Sequence, residues 1–181
     1  MSSHYDVIVA GIGSMGAATC CHLAKRGGRI LGLEKEAIPH GLGAHHGHSR
    51  MIRLAYYEHP DYVPLLQRAF DLWEQLEAES TYDLLHLTGG LYMGPPDASI
   101  ITGSLESSQK HNLDHRILSR QDIETEFPSF RIPSDWVGFH ERKAGYLVPE
   151  KAVCAHVEQA LKAGAEIKGH EGLLEWTANA N

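Results

Sequence analysis

The sequence predicts an α/β fold that opens on a parallel strand–helix–strand unit, and three observations predict it. The short apolar run Asp6-Val7-Ile8-Val9-Ala10 stops at Gly11, as a strand buried on both faces does. From Ala17 to Lys25 the small apolar residues Ala17, Ala18, Cys21 and Ala24 fall on one side, and Gly27-Gly28 follows, which reads as a helix with a glycine stop. A second apolar run, Arg29 to Leu33, ends at Glu34. Strand, helix and strand within about 30 residues form a βαβ unit with parallel strands and a right-handed crossover.

The rest of the chain is read in the same way. Residues 35–48 hold Pro39, Gly41, Gly43 and Gly47 and read as a long irregular loop, which inside a compact domain is usually functional. From Tyr62 the residues Leu65, Leu66, Ala69, Phe70, Trp73 and Leu76 recur at helical spacing, giving one apolar face. Residues 84–93 read as extended, with Gly89-Gly90 marking a bulge or a close approach. A polar helix is expected over 98–111 and a strand over 115–118. A short helix should follow an N-cap at Ser119 and stop before Pro128. Trp136 to His140 reads as a strand. Pro149 opens a helix through Leu161 that Gly164 ends. Ala165 to Lys168 and Leu173 to Trp176 read as two last strands.

Composition bounds what such a chain does. The 181 residues, 43% hydrophobic, suit one large domain or one domain and part of another, with a real core. A net charge of −7 argues against nucleic acid as the main partner. The thirteen histidines make that charge sensitive to pH. No apolar run approaches the roughly 18 residues of a membrane helix, so no membrane is expected as a partner. Three cysteines, two of them the adjacent pair Cys20-Cys21, form no disulfide framework and suit a reducing compartment. The N-terminus shows no signal peptide, and the C-terminal Ala178-Asn179-Ala180-Asn181 is no targeting address. The expected setting is cytoplasmic.

Two segments carry chemistry. Gly11-Ile12-Gly13-Ser14-Met15-Gly16 matches G-x-G-x-x-G. The first glycine allows the tight turn, the second lets the backbone approach a pyrophosphate, and the third lets helix and strand pack closely. Helix N–H groups and the helix dipole then favour the phosphates. The motif alone is weak evidence. Here it follows a strand, opens a helix and precedes an acidic residue, Glu34, 18 positions after Gly16, which is the context it requires. Glu34 would accept from an adenosine ribose and repel a 2′-phosphate, so an NADP-like ligand is disfavoured. The motif does not separate NAD from FAD.

The second segment, Gly43 to Tyr56, carries His45, His46, His48, Arg50 and Arg53. A zinc site needs three or four ligands, and no carboxylate or cysteine stands nearby until Glu58, so no metal is expected. The histidines also read as plain solvated loop residues. Arg50 and Arg53 are three apart and on a helical turn would share a face. Two guanidiniums can hold a carboxylate or an anionic ring; the alternative is that both pair with surface acids such as Glu58 or Asp61.

Together these residues resemble a known family. The Gly11–Gly16 fingerprint, Glu34, Pro39-His40, His45-His46-Gly47 with Ser49-Arg50, Ile52-Arg53 and Ala55-Tyr56, and Tyr62-Val63-Pro64-Leu65 are similar to the N-terminal part of the monomeric sarcosine oxidase and N-methyltryptophan oxidase family of FAD-dependent amine oxidases. The resemblance implies a Rossmann-like FAD-binding domain of the GR2 type with part of an inserted mixed-sheet substrate domain, incomplete as it stands. Residues 1–81 would be the first FAD-domain segment, 82–142 a partial substrate-domain segment and 143–181 the second, truncated FAD-domain segment. The implied reaction oxidises the C–N bond of a secondary amine or N-methyl amino acid to an imine, which water hydrolyses, while O2 is reduced to H2O2.

By the same resemblance Gly11, Gly13, Ser14, Met15 and Gly16 hold the pyrophosphate and Glu34 the ribose, while His45, Ser49 and Arg50 lie close to the flavin. His46 and Arg50 tune its charge, Arg53 grips the substrate carboxylate and Tyr56 lines the pocket. The family commonly has Asp where His48 stands and His where Leu54 stands. Its flavin-linking cysteine and its second-half lysines match nothing in residues 1–181; Cys20 and Cys21 are expected to pack on the first helix and Cys154 on the last. Two other readings stand beside this one: an inactive fragment or nucleotide-binding module completed by a partner chain or a missing C-terminal half, and an NAD-dependent dehydrogenase.

Overall fold

The computed structural model describes residues 4–178; the C-terminal expectation at Asn179–Asn181 lies outside them. In chain order the elements are β1 (Val7–Ala10), α1 (Ser14–Lys25), β2 (Ile30–Leu33), β3 (Arg50–Ile52), a 3-10 turn (Pro60–Tyr62), α2 (Val63–Glu79), β4 (Leu85–His86), β5 (Gly90–Gly94), α3 (Ser99–His111), β6 (His115–Leu118), α4 (Arg120–Glu126), β7 (Val137–Glu141), β8 (Gly145–Leu147), α5 (Pro149–Lys162) and β9 (Glu166–Lys168). The chain forms two compact units. One comprises the described residues up to Arg50, Gln75–Leu84 and those from Leu147 on; the other comprises Met51–Glu74 and Leu85–Tyr146.

The first unit is built on a parallel sheet of order β1–β2–β9. Val7 to Ala10 pair in register with Ile30 to Leu33, and Leu31 pairs with Glu166. The predicted βαβ unit is thus present. Helix α1 buries Ala17, Cys20, Cys21 and Ala24, which join Ile12, Ile30, Val153, Ala160 and Ala165 in one core. Small residues on α1 let α5 pack closely against it. Cys20 and Cys21 are buried free thiols and Cys154 is half-buried.

The expected strand at Leu173–Trp176 is not formed. After β9 the backbone turns at His170, whose φ is +60°, and the N–H groups of His170 and Glu171 are bound by the carbonyls of Glu36 and Glu34. Residues 173–176 pair with no strand of the described sheets, and Leu174 and Trp176 are exposed (97% and 76%).

The second unit is organised by an antiparallel sheet of order β5–β7–β6. Tyr92 sits opposite Phe139, and Gly90 opposite Glu141. Ala55, Tyr92, Ile101 and Phe139 form one cluster, and Leu118, Ile123 and Ile132 another. Helix α4 starts at a reciprocal cap: Ser119 Oγ accepts from the Asp122 N–H at 3.2 Å and Asp122 accepts from the Ser119 N–H at 2.9 Å. A further small sheet has the order β3–β8–β4; strands β3 and β8, three residues each, were not legible because such short runs carry no period. In α2 the inward face is as predicted at Phe70 and Leu76, but Leu65 is 69% exposed and Val63 is buried in its stead.

Candidate functional site

The sequence-predicted residues fall into two clusters, one in each unit. In the first, β1 delivers the chain to Gly11, which has φ +90°, a conformation open to glycine. Gly13 is the N-cap of α1 and offers no side-chain cap, so apart from the Ser14 N–H, which donates to His45 Nδ1, the first-turn N–H groups remain for an anion. A Cβ on Gly16 would stand 1.8 Å from the Gly11 carbonyl oxygen. The helix therefore lies against the loop as closely as the third glycine allows. Met15 is exposed beside it.

Glu34 is buried at the end of β2. Its Oε2 accepts from the Ile12 N–H at 2.8 Å and its Oε1 from the Glu36 N–H at 3.1 Å, with His40 Nε2 3.5 Å from Oε2. Burial pushes the carboxyl up, but the two N–H groups and His40 outweigh it and hold it below its ordinary value. A carboxylate offers about four acceptor positions, so Oε1 keeps an acceptor position beyond the Glu36 N–H while Oε2 braces the glycine loop.

His45 stands on that loop. Its Nδ1 lies 3.4 Å from the Ser14 backbone N, and its Nε2 is buried with no hydrogen-bond partner among the described residues. A helix start whose N-cap residue gives no side-chain cap, a glycine cradle and an orphaned ring nitrogen fit a nucleotide pyrophosphate.

His46 faces elsewhere. Its Nδ1 lies 2.7 Å from Glu150 Oε1, which also accepts from the Gly47 N–H at 3.2 Å. These residues, with His48 and Val148, line a cavity of about 320 Å3. Arg50 donates to the carbonyls of Ser49 (2.9 Å), His46 and Ala44. It thus clamps loop 44–49 instead of pairing with a surface acid.

The second cluster is built on residues 53–58. Arg53 and Arg50 do not share a helical face: Arg50 starts strand β3 and Arg53 follows it, and residues on a strand alternate sides. The Arg53 guanidinium lies 4.6 Å from the Tyr56 ring centroid, 5.4 Å from Tyr57 and 5.7 Å from Tyr92. Its acid partner is the exposed Glu58, at 3.2 Å. Aromatic faces hold a guanidinium without using up its fork of donors.

Sequence reasoning missed what holds this segment. Glu141, 2% exposed, accepts from the N–H groups of Leu54 (3.2 Å) and Ala55 (3.0 Å) and from the Tyr92 hydroxyl (2.6 Å). Ser104 Oγ donates to the Ala55 carbonyl at 3.0 Å, and Ser107 Oγ to that of Tyr56. The legible signal was the stripe Ile101, Ser104, Ser107 and Ser108 at helical spacing, all buried; read as a polar helix, α3 hid a second inward face.

The FAD dependent oxidoreductase family model matches residues 6–179. The chain belongs to this family. It is 42% identical over 176 residues to a monomeric sarcosine oxidase of Streptomyces avermitilis, a match that takes in 97% of this chain and 46% of that protein. It is 34% identical to an N-methyl-L-tryptophan oxidase of Yersinia pestis over 90% of this chain and 44% of that one. Among solved structures, NikD, an unusual amino acid oxidase essential for nikkomycin biosynthesis, superposes with a TM-score of 0.81 at 31% identity, over 93% of this chain and 44% of NikD. An L-proline dehydrogenase from P. horikoshii, at 20% identity and a TM-score of 0.77, shares the fold.

The chain therefore spans about half the length of the curated relatives it matches. Membership of an FAD dependent family decides for FAD over NAD, which the glycine motif left open. No described helix is long and apolar enough to cross a membrane.

Proposed function

We propose that this chain is the FAD-binding and carboxylate-recognising part of an oxidase of secondary amines or N-methyl amino acids. The observation that carries the reading is Arg53, a guanidinium held by tyrosine rings and paired with the exposed Glu58, in a chain 42% identical to a sarcosine oxidase. A substrate carboxylate can take the place of Glu58 on a preset fork. Tyr56 would wall the substrate beside it.

The cofactor's fit rests on the first unit. The glycine loop and the start of α1 would hold the pyrophosphate through Gly11, Gly13, Ser14, Met15 and Gly16, and Glu34 would hold the ribose. His45, Ser49 and Arg50 would lie nearest the ring. FAD supplies the acceptor for the hydride equivalent removed from the carbon next to nitrogen. The protein's own work is to bind, orient and polarise. Arg53 neutralises and aligns the carboxylate, Arg50 carries positive charge on a clamped loop, and His46 is steadied by Glu150. In this reading O2 is the final acceptor, the setting is cytoplasmic, and the stretch of the relatives outside the match is supplied by a second half or a partner chain.

The test uses the FAD-loaded protein. Sarcosine added without oxygen is expected to bleach the yellow flavin band, and air is expected to restore it with release of H2O2. Arg53→Ala should weaken sarcosine binding at least tenfold more than FAD binding. A flavin band that no N-methyl amino acid bleaches, or equal losses of both ligands, overturns the reading.

A further inference from the structure

We infer that Glu141, acting with Tyr92 and the serine face of α3, is the positioning residue that sets the carboxylate affinity of Arg53. The inference rests on the reading of Arg53 given above and adds what makes that guanidinium effective.

Arg53 belongs to a stretch without regular structure between β3 and the turn at Pro60. Such a stretch places a side chain accurately only if its backbone groups are bound. Here they are bound on both sides. Glu141 takes the two successive N–H groups of Leu54 and Ala55. Ser104 and Ser107 take the carbonyls of Ala55 and Tyr56. Gly103 lets α3 come this near, for a Cβ there would lie 2.2 Å from the Tyr57 carbonyl oxygen. Four peptide groups next to Arg53 are thus held by three side chains, two on one helix and one on a strand.

Glu141 also acts on the guanidinium through Tyr92. The phenol donates to its Oε1 at 2.6 Å, and the ring it fixes is one of the three around Arg53. Every hydrogen bond named at Glu141 is one it accepts. A buried polar group in such a network is costly to leave half-satisfied, so its removal should be felt where its partners are, at residues 53–56. Packing alone does not ask for this arrangement. Leu54 and Ala55 are nearly inaccessible (6% and 0%), and an apolar residue at 141 would leave their two N–H groups buried without partners.

The test uses the FAD-loaded protein and methoxyacetate, in which an ether oxygen replaces the amine of sarcosine and keeps the carboxylate. Its dissociation constant is measured by calorimetry beside that of FAD. Glu141→Ala is expected to weaken methoxyacetate at least tenfold with less than a twofold change for FAD. It should raise the KM for sarcosine far more than it lowers kcat. Glu141→Gln, whose amide oxygen can still take both backbone N–H groups, should recover affinity to within about threefold. A purely structural role predicts lower thermal stability with unchanged methoxyacetate affinity in the folded fraction, and no recovery by Gln; either result overturns the inference. Should Glu141→Ala fail to fold, Tyr92→Phe, which keeps the ring and loses the hydroxyl, is expected to weaken methoxyacetate about threefold, and unchanged affinity there overturns the inference. A wild-type protein that does not bind methoxyacetate overturns the reading of Arg53 as well; wild-type binding that Glu141→Ala leaves intact overturns this inference alone.

Discussion

At Glu34 one carboxylate closes the second strand and braces the glycine loop. The sequence suggested a ribose acceptor, because an acidic residue closes the second strand 18 positions after Gly16. The structure adds that the same side chain accepts from the Ile12 N–H inside the glycine loop and from the Glu36 N–H. Glu34→Gln turns one acceptor oxygen into an NH2 that must face an N–H. Leaving such a buried donor unsatisfied costs about 1–3 kcal/mol, so urea unfolding should shift by that amount near neutral pH. The pH dependence has a definite sign. Glu34's carboxyl is held low in the fold, so its contribution is complete above the ordinary carboxylate range and is lost as pH falls through the folded value. Wild type and Glu34→Gln should therefore differ at pH 7 and converge only as pH falls through the ordinary carboxylate range and then the lower folded value; parallel curves across that range would speak against the assignment. The acidic residue at the end of the second strand was legible because it follows from spacing. The bracing role was not, since spacing says nothing about which backbone N–H a side chain reaches. Glu141 repeats the lesson: a glutamate at the end of a predicted strand looks solvated until its strand is known to bury it.

At the scale of elements, legibility followed periodicity. Helices α1, α3, α4 and α5 and strands β1, β2, β6, β7 and β9 lie within a few residues of where apolar spacing and punctuation put them. Strands β3 and β8 were invisible, and Leu173–Trp176 looked like a strand only because Leu173, Leu174 and Trp176 are apolar. Helix α3 was placed correctly and given the wrong character, since Ser104, Ser107 and Ser108 are buried. Pattern reading treats serine as outward-facing, whereas a serine whose hydroxyl meets a carbonyl can lie inside.

The packing of α1 on α5 supplies a further prediction. His156 on α5 is 7% exposed; its ring faces His22 at a centroid distance of 6.1 Å, and its Nδ1 lies 3.0 Å from the Ala152 carbonyl oxygen. Burial, aided by the charges of His22 and Lys25, pushes it down to about 4. A group depressed on folding contributes fully above its unfolded value, near pH 6.5, and loses that contribution as pH falls toward about 4. The loss amounts to about 3 kcal/mol at most. His156→Asn, which keeps a donor near the Nδ1 position and does not titrate, should flatten the stability curve between pH 6.5 and 4. An unchanged acid slope in chemical denaturation at several pH values would remove His156 from the account.

Across these 181 residues, the reactivity of the thiols follows from where they lie. All three cysteines are free. Cys20 and Cys21 face the core between α1 and α5, and burial pushes both thiols up. Cys154 on α5 is raised as well, by burial first and then by Glu158. Only the thiolate is a nucleophile, and buried thiols in apolar surroundings are inert. The glycine loop, the start of α1 and the brace of Glu34 are nevertheless all present. FAD should therefore bind to this 181-residue chain reversibly, through its pyrophosphate and ribose, and should stabilise it by mass action. Added FAD is expected to raise the melting temperature in a concentration-dependent way, and acid precipitation of the loaded chain should give a colourless pellet and a yellow supernatant. A pellet that stays yellow after denaturation would show a covalent bond that none of these three thiols is placed to make.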